Sequence, residues 1–183
     1  MDSSTDNAIM LKVKSGDLEK MGLLFERHHR PLFGFYYRMC QDAELSEDLV
    51  QNLFLRMIKY RHTFTGEGKF TSWMYHLARN LLADHYRKKK KMTTDNFKEV
   101  EKLWEEEAAQ ETKEERIRLL EKAMQYLSDD KREVLVLSRY QGLRYQEIAD
   151  MQNTSEANIK VKVYRALREL KEIFQKLERF SAL

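Results

Sequence analysis

Apolar side chains along this chain recur at steps of three and four, the period of a helix with one buried face, and one proline and six glycines argue against a sheet fold full of turns. Residues Asn7–Lys14 read as a short first helix closed by Ser15-Gly16. From Asp17 to Cys40, Leu24, Phe25, His28, Leu32, Phe35, Tyr36 and Met39 share a face, and Pro31, lacking an N–H, predicts a kink or a break. Ser46–Tyr60 follows, with Ser46 as the expected cap and Leu49, Val50, Leu53, Phe54, Met57 and Tyr60 as the inward stripe. After the glycine-marked loop RHTFTGEGKF, a helix over Thr71–Lys91 should bury Trp73, Met74, Leu77, Ala78 and Leu81 with Phe70.

The pattern fades between Met92 and Glu111 and returns with Ile117, Leu120, Ala123, Met124 and Leu127. Ser128 is the expected cap of the next helix, SDDKREVLVLSRY, and Gly142 sits where a left-handed residue ends one. The stretch Gly142–Leu177 then predicts a short helix, a tight turn at Asn153 and a long helix capped by Ser155. In the long helix Ile159, Val163, Ala166, Leu170, Ile173 and Leu177 form the buried face. Such a pair matches the helix-turn-helix, whose second helix enters a DNA major groove. Fold class is therefore all-α: two helical domains, 1–91 and 112–183, joined by an acidic flexible linker over 92–111, the C-terminal domain a helix-turn-helix.

Charge sharpens this reading. The 183 residues carry a formal net charge of only +3. Between Asp95 and Arg116, however, nine acids face four bases, so both flanks are basic. A basic–acidic–basic layout suits two polyanion-binding modules and a connector that avoids nucleic acid. Cys40 is the single cysteine, so neither an intramolecular disulfide nor a cysteine-held zinc is expected. The adjacent His28 and His29 point about 100° apart on a helix, and no neighbouring carboxylate completes a metal set. No cofactor, small-molecule substrate or membrane insertion is expected. The acidic, polar start MDSSTDNAIM has no signal-peptide pattern, which makes the cytoplasm the expected location.

The polar faces carry the chemistry. In the long C-terminal helix Lys160, Tyr164 and Arg168 are spaced by four, flanked by Lys162 and Arg165, with Ser155, Glu156 and Asn158 at the end that reaches base edges in this motif. In Thr71–Lys91 the face opposite the apolar stripe collects Ser72, Tyr75, His76, Arg79, Asn80, Tyr86 and Arg87, cations interleaved with aromatics as on a single-strand platform. Arg87–Lys91 adds five consecutive positive charges for phosphate attraction.

Three segments in series carry a family resemblance: AELSEDLVQNLFLRMIKYRHTF, KFTSWMYHLARNLLADHYRKKKK and LSDDKREVLVLSRYQGLRYQEIADMQNTSEANIKVKVYRALREL. Together they resemble sigma factors of the extracytoplasmic-function group, bacterial initiation subunits reduced to the second and fourth sigma domains. The resemblance implies an alternative sigma factor that binds core RNA polymerase and directs promoter-specific initiation. Asp48, Gln51, Asn52, Arg56 and Lys59 would dock on the polymerase β′ clamp helices, and the C-terminal domain on the β flap. The loop Arg61–Phe70, with His62 and Lys69, and the helix Thr71–Lys91, through Ser72, Tyr75, His76, Arg79, Asn80, Tyr86, Arg87 and Lys88, would hold the melted −10 element. Ser155, Glu156, Asn158, Lys160, Lys162, Tyr164, Arg165 and Arg168 would read the −35 element as duplex. An anti-sigma protein is an implied partner. Arg144, Gln152, Asn153 and Thr154 depart from the family pattern, Arg144 standing where Ser or Thr usually caps the first hairpin helix. A free-standing helix-turn-helix regulator is the alternative, but it has no use for a single-strand platform. A nuclease would need clustered carboxylates or histidines, which the sequence lacks.

Overall fold

The computed structural model describes residues 5–92 and 113–181, and the acidic connector expected over 92–111 lies, beyond Met92, outside them. The described residues form eight α-helices and no strand, and the chain divides into two compact units. In the first unit α1 (Asp6–Lys14) is capped by the Thr5 hydroxyl, which accepts from Ala8 N–H, and closes at Ser15 before Gly16 turns at φ +114°. Helix α2 (Met21–Cys40) runs through Pro31 without a break. Pro31 lies on the exposed side, so its missing donor leaves the packed face untouched, and Leu24, Leu32, Phe35, Tyr36 and Met39 hold the helix against its neighbours.

Helix α3 (Ala43–Lys59) begins three residues earlier than the sequence suggests. Its cap is Asp42, whose carboxylate accepts from Leu45 N–H at 3.0 Å. Ser46 is fully buried inside the first turn, its hydroxyl donating back to Asp42 O at 2.5 Å. Its short side chain can serve either place; packing decides for the inner one. Leu49, Val50, Leu53, Phe54 and Met57 are buried as expected, whereas Tyr60 is exposed at the helix end.

Helix α4 (Phe70–Met92) is rotated from its expected orientation. The buried set is Phe70, Met74, Tyr75, Ala78 and Leu82, while Trp73, Leu77 and Leu81 are only half-buried. Two bulky rings compete for one core. Tyr75 meets Phe35 edge-on at 5.5 Å between centroids, and Tyr36 donates its hydroxyl to Ala78 O at 3.2 Å. Trp73 takes the flank instead, against Phe64 at 5.4 Å.

The second unit packs α5 (Lys113–Gln125) and α6 (Asp129–Leu135) against α8 (Glu156–Ser181), with α7 (Tyr145–Gln152) before it. Ser128 occupies the cap position of α6, but its side chain makes no capping bond. Arg132 secures that corner instead: only 7% exposed, it donates to the carbonyls of Met124, Gln125 and Leu127 at 2.8–3.0 Å. After α6 the helix widens into a π-turn over Val136–Tyr140, and Gly142 at φ +67° ends it in the expected place. Val134–Leu137, Leu143, Ile148, Ala149, Ile159, Val163 and Ala166 fill the core.

Candidate nucleic-acid interface

The turn between α7 and α8 is built as a helix-turn-helix requires. Asn153 adopts φ +50°, the left-handed conformation asparagine tolerates better than most side chains. The Ser155 hydroxyl then accepts from Asn158 N–H at 3.2 Å and caps α8. Arg144 supplies no capping side chain to α7, and Glu147 does the work from the other direction, accepting from Arg144 N–H at 2.7 Å. That is half of a capping box, with the acidic partner alone.

With Ile159, Val163, Ala166, Leu170 and Leu177 buried, α8 turns Asn158, Lys160, Tyr164, Arg165 and Arg168 outward, Tyr164 at 68% exposure. Lys160 pairs with Glu156 one turn back at 2.8 Å, a surface bond that a phosphate could displace at little cost. Lys162 departs from the expected face: it is half-buried, and Nζ reaches Asp130 of α6 at 3.0 Å. Ile173 is also only half-buried.

On the first unit, α3 exposes Asp48, Gln51, Asn52, Lys59 and Leu55, the last at 66%. Arg56 belongs to a different arrangement. Its Nη2 donates to Asp84 of α4 at 2.7 Å, and Arg87 reaches the second oxygen of the same carboxylate at 2.6 Å. The Arg56 hydrogen bond, outweighing a slight effect of burial, holds the Asp84 carboxyl below the usual carboxylate range. Sequence reasoning passed over Asp84; the signal was there, as the one acid in the otherwise neutral or cationic run Phe70–Met92.

Beside this pair lies a cleft of about 600 Å³ lined by Arg56, Tyr60, Thr63, Trp73, His76, Leu77, Asn80 and Asp84. Trp73 forms one wall, tied down by Nε1 donating to Thr63 Oγ1 at 3.1 Å. Aromatic faces and amide and imidazole edges thus line one concave space, the mix that suits an unstacked base.

Of the residues expected on this platform, His62, Lys69, His76, Tyr86, Arg87 and Lys88 are exposed, and Arg79 and Asn80 are half-buried. Tyr75 is not on it. At 3% exposure it belongs to the core, and burial pushes its hydroxyl well above the ordinary tyrosine range. Ser72 is half-buried, and its Oγ is enclosed without a hydrogen-bond partner. Both lie on the inward-turned edge of α4 because that helix presents Tyr75, not Trp73, to the core. His28 also differs from expectation, since a carboxylate does reach it: Asp6 Oδ2 lies 2.8 Å from Nε2.

Residues 24–92 match the family model of sigma-70 region 2, and residues 117–170 that of sigma-70 region 4. The chain belongs to the extracytoplasmic-function sigma factors. It is 28% identical over 164 residues to the ECF RNA polymerase sigma factor SigX of Bacillus subtilis, covering 84% of this chain and 83% of that one. Its fold is similar to CnrH in complex with the cytosolic domain of CnrY (TM-score 0.73, 19% identity, 94% of this chain and 99% of that). It is similar too to the sigma factor RpoE bound to the anti-sigma factor NepR from Bartonella quintana (TM-score 0.70, 22% identity, 84% and 96%). This sigma factor binds core RNA polymerase and promoter DNA and directs transcription initiation, which disfavours the free-standing regulator. Among its described residues, no helix is long and apolar enough to cross a membrane.

Proposed function

We propose that the two units divide a promoter between them. The second reads the −35 element as duplex, with α8 in the major groove and Asn158, Lys160, Tyr164, Arg165 and Arg168 as its contacts. The first docks on the polymerase β′ clamp helices through Asp48, Gln51, Asn52, Lys59 and Leu55 of α3. It takes a base of the melted −10 strand into the cleft beside Trp73, with His62, Lys69, His76, Asn80, Arg87 and Lys88 along the strand's path. Arg56 and Lys162 act from within, orienting their neighbours. The acidic connector, outside the described residues, would thread polymerase channels that otherwise carry RNA. The β flap would receive the C-terminal unit, an anti-sigma protein would hold the factor inactive, and the cytoplasm would be its location.

The cleft carries this reading. Its volume, its indole wall and its polar edges fit a flat polar guest, and extruding a base costs a few kcal/mol that stacking and edge hydrogen bonds offset. A permanganate-reactivity assay with core polymerase tests it. Trp73→Ala and His76→Ala should reduce reactivity of −10 thymines while a pull-down still recovers core polymerase. Equal loss in both assays would refute the division of labour.

A further inference from the structure

Beyond its opening turn at Arg61–Thr63, the loop between α3 and α4 is braced by the first helix. Asn7 donates from Nδ2 to Gly68 O at 2.7 Å and to Gly66 O at 3.3 Å, and its Oδ1 accepts from Phe70 N–H at 2.8 Å. Two turns along, Lys14 donates from Nζ to Phe64 O at 2.6 Å. Between them Leu11 lies beneath Gly66, where an added Cβ would come within 3.3 Å of the leucine side chain. Residues 7, 11 and 14 share one face of a helix, so a single edge of α1 engages the loop at its start, middle and end.

Gly66, at φ +86°, takes a conformation unfavourable to any residue with a side chain, and next to it Glu67 N–H donates to the Thr65 hydroxyl at 3.3 Å. A glycine-bearing loop would sample more shapes without these ties to α1. Trp73 fixes it from the other side, through Thr63. The cleft wall and the loop therefore share a frame whose outer member is α1.

We propose that Asn7, supported by Leu11 and Lys14, is a positioning residue for promoter recognition: it sets the shape of the loop over 64–69, and with it the base preference at the −10 element. This rests on the reading that the loop and the adjoining cleft take the melted −10 strand. Asn7 touches no DNA in this scheme; it acts through three main-chain groups of the loop.

The test is run-off transcription by reconstituted holoenzyme on the cognate promoter and on single-base −10 variants. Discrimination is read as the ratio of initiation rates, beside core-polymerase affinity and the thermal melting of each variant. Asn7→Ala should lower discrimination about tenfold, the worth of the hydrogen bonds lost, with core affinity unchanged. Asn7→Asp keeps the acceptor for Phe70 N–H but loses both donors, and should fall between. Amide exchange at Phe70 should speed up in Asn7→Ala and stay near the parent rate in Asn7→Asp. A lower melting temperature with unaltered base preference in both variants would reduce Asn7 to a purely structural role and overturn the proposal. His76→Ala, at the cleft itself, separates the two failures. If it relaxes base preference and Asn7→Ala does not, only the positioning role falls. If neither does, the cleft reading falls and takes the proposal with it.

Discussion

Arg56 Nη2 sits 2.7 Å from Asp84 Oδ2, joining the end of α3 to the middle of α4 across the edge of the cleft. The same carboxylate receives Arg87, so one acid fixes two guanidinium groups expected to act separately on polymerase and on DNA. A double-mutant cycle of Arg56→Met, Asp84→Asn and the double variant should give a coupling of about 1 kcal/mol in denaturant melts, the upper range for a partly exposed pair. The Asp84 carboxyl is lowered in the folded protein, so the charged form contributes stability above the ordinary carboxylate pKa. That contribution should fade as pH falls below the ordinary value and vanish below the folded one. Arg56→Met removes the main cause of the shift and should flatten the acid limb of the stability–pH curve. An unchanged acid limb would show that Arg87 suffices.

Tyr75 gives a prediction opposite in kind to one for a base-stacking residue. Tyr75→Ala empties a core position against Phe35 and should cost about 3 to 5 kcal/mol, seen as a lower melting temperature and a weaker hold on core polymerase. Tyr75→Phe keeps the ring and should leave promoter opening within about threefold of the parent, equivalent to less than 1 kcal/mol. A folded Tyr75→Phe protein that binds polymerase normally yet fails to open the promoter would return this hydroxyl to the strand's path.

The fate of Tyr75 shows where the sequence stops being legible. Period and capping residues gave the helices, and Asn153, Ser155 and Gly142 mark their turns through local backbone chemistry alone. The rotation of α4 is another matter. Trp73, Met74 and Tyr75 are adjacent and all large, so a helical wheel separates them by only about 100° each. Which ring goes inside depends on Phe35 and Tyr36 of another helix. Ser46 and Ser128 fail as caps for different reasons: Asp42 takes the capping place of α3 by accepting from Leu45 N–H, while at Ser128 the corner is held by Arg132 donating to the carbonyls that end α5, contacts that only the fold brings together. Asn7 lies beyond such reasoning too, since its partners are 59 to 63 residues away.

On α8 the structure separates cations that the spacing had grouped. Lys160→Glu or Arg165→Glu should weaken binding of holoenzyme to −35 duplex by about 1 to 3 kcal/mol, and neutralising either should reduce the salt slope by about 1. Lys162→Ala should leave that slope nearly unchanged and act instead on stability, because its ammonium is held by Asp130. A footprint and filter-binding series in increasing salt distinguishes the three. A slope that drops equally for Lys162→Ala would place its side chain back on the groove face.

Arg132 carries the most demanding prediction. It is nearly sealed from solvent, and its guanidinium meets three carbonyls around the corner between α5 and α6, with Asp129 at 3.2 Å from Nη1. Those carbonyls close one helix and approach the next, and a helix end deprived of partners inside a protein is costly. Arg132→Met preserves much of the volume but strands the acceptors, at about 1 to 3 kcal/mol for each group left truly unsatisfied, so the loss should reach several kcal/mol. Arg132→Lys keeps the charge but not the planar fork, and a single ammonium is not built to reproduce this set of bonds, so it should recover only part of the loss. Because this corner supports α8 from behind, the variants should lose −35 binding in step with folded fraction, while melting of the −10 strand on promoters independent of −35 contacts is retained. Retention of full stability by Arg132→Met would mean that water replaces the guanidinium there, and that the corner is held by its apolar neighbours alone.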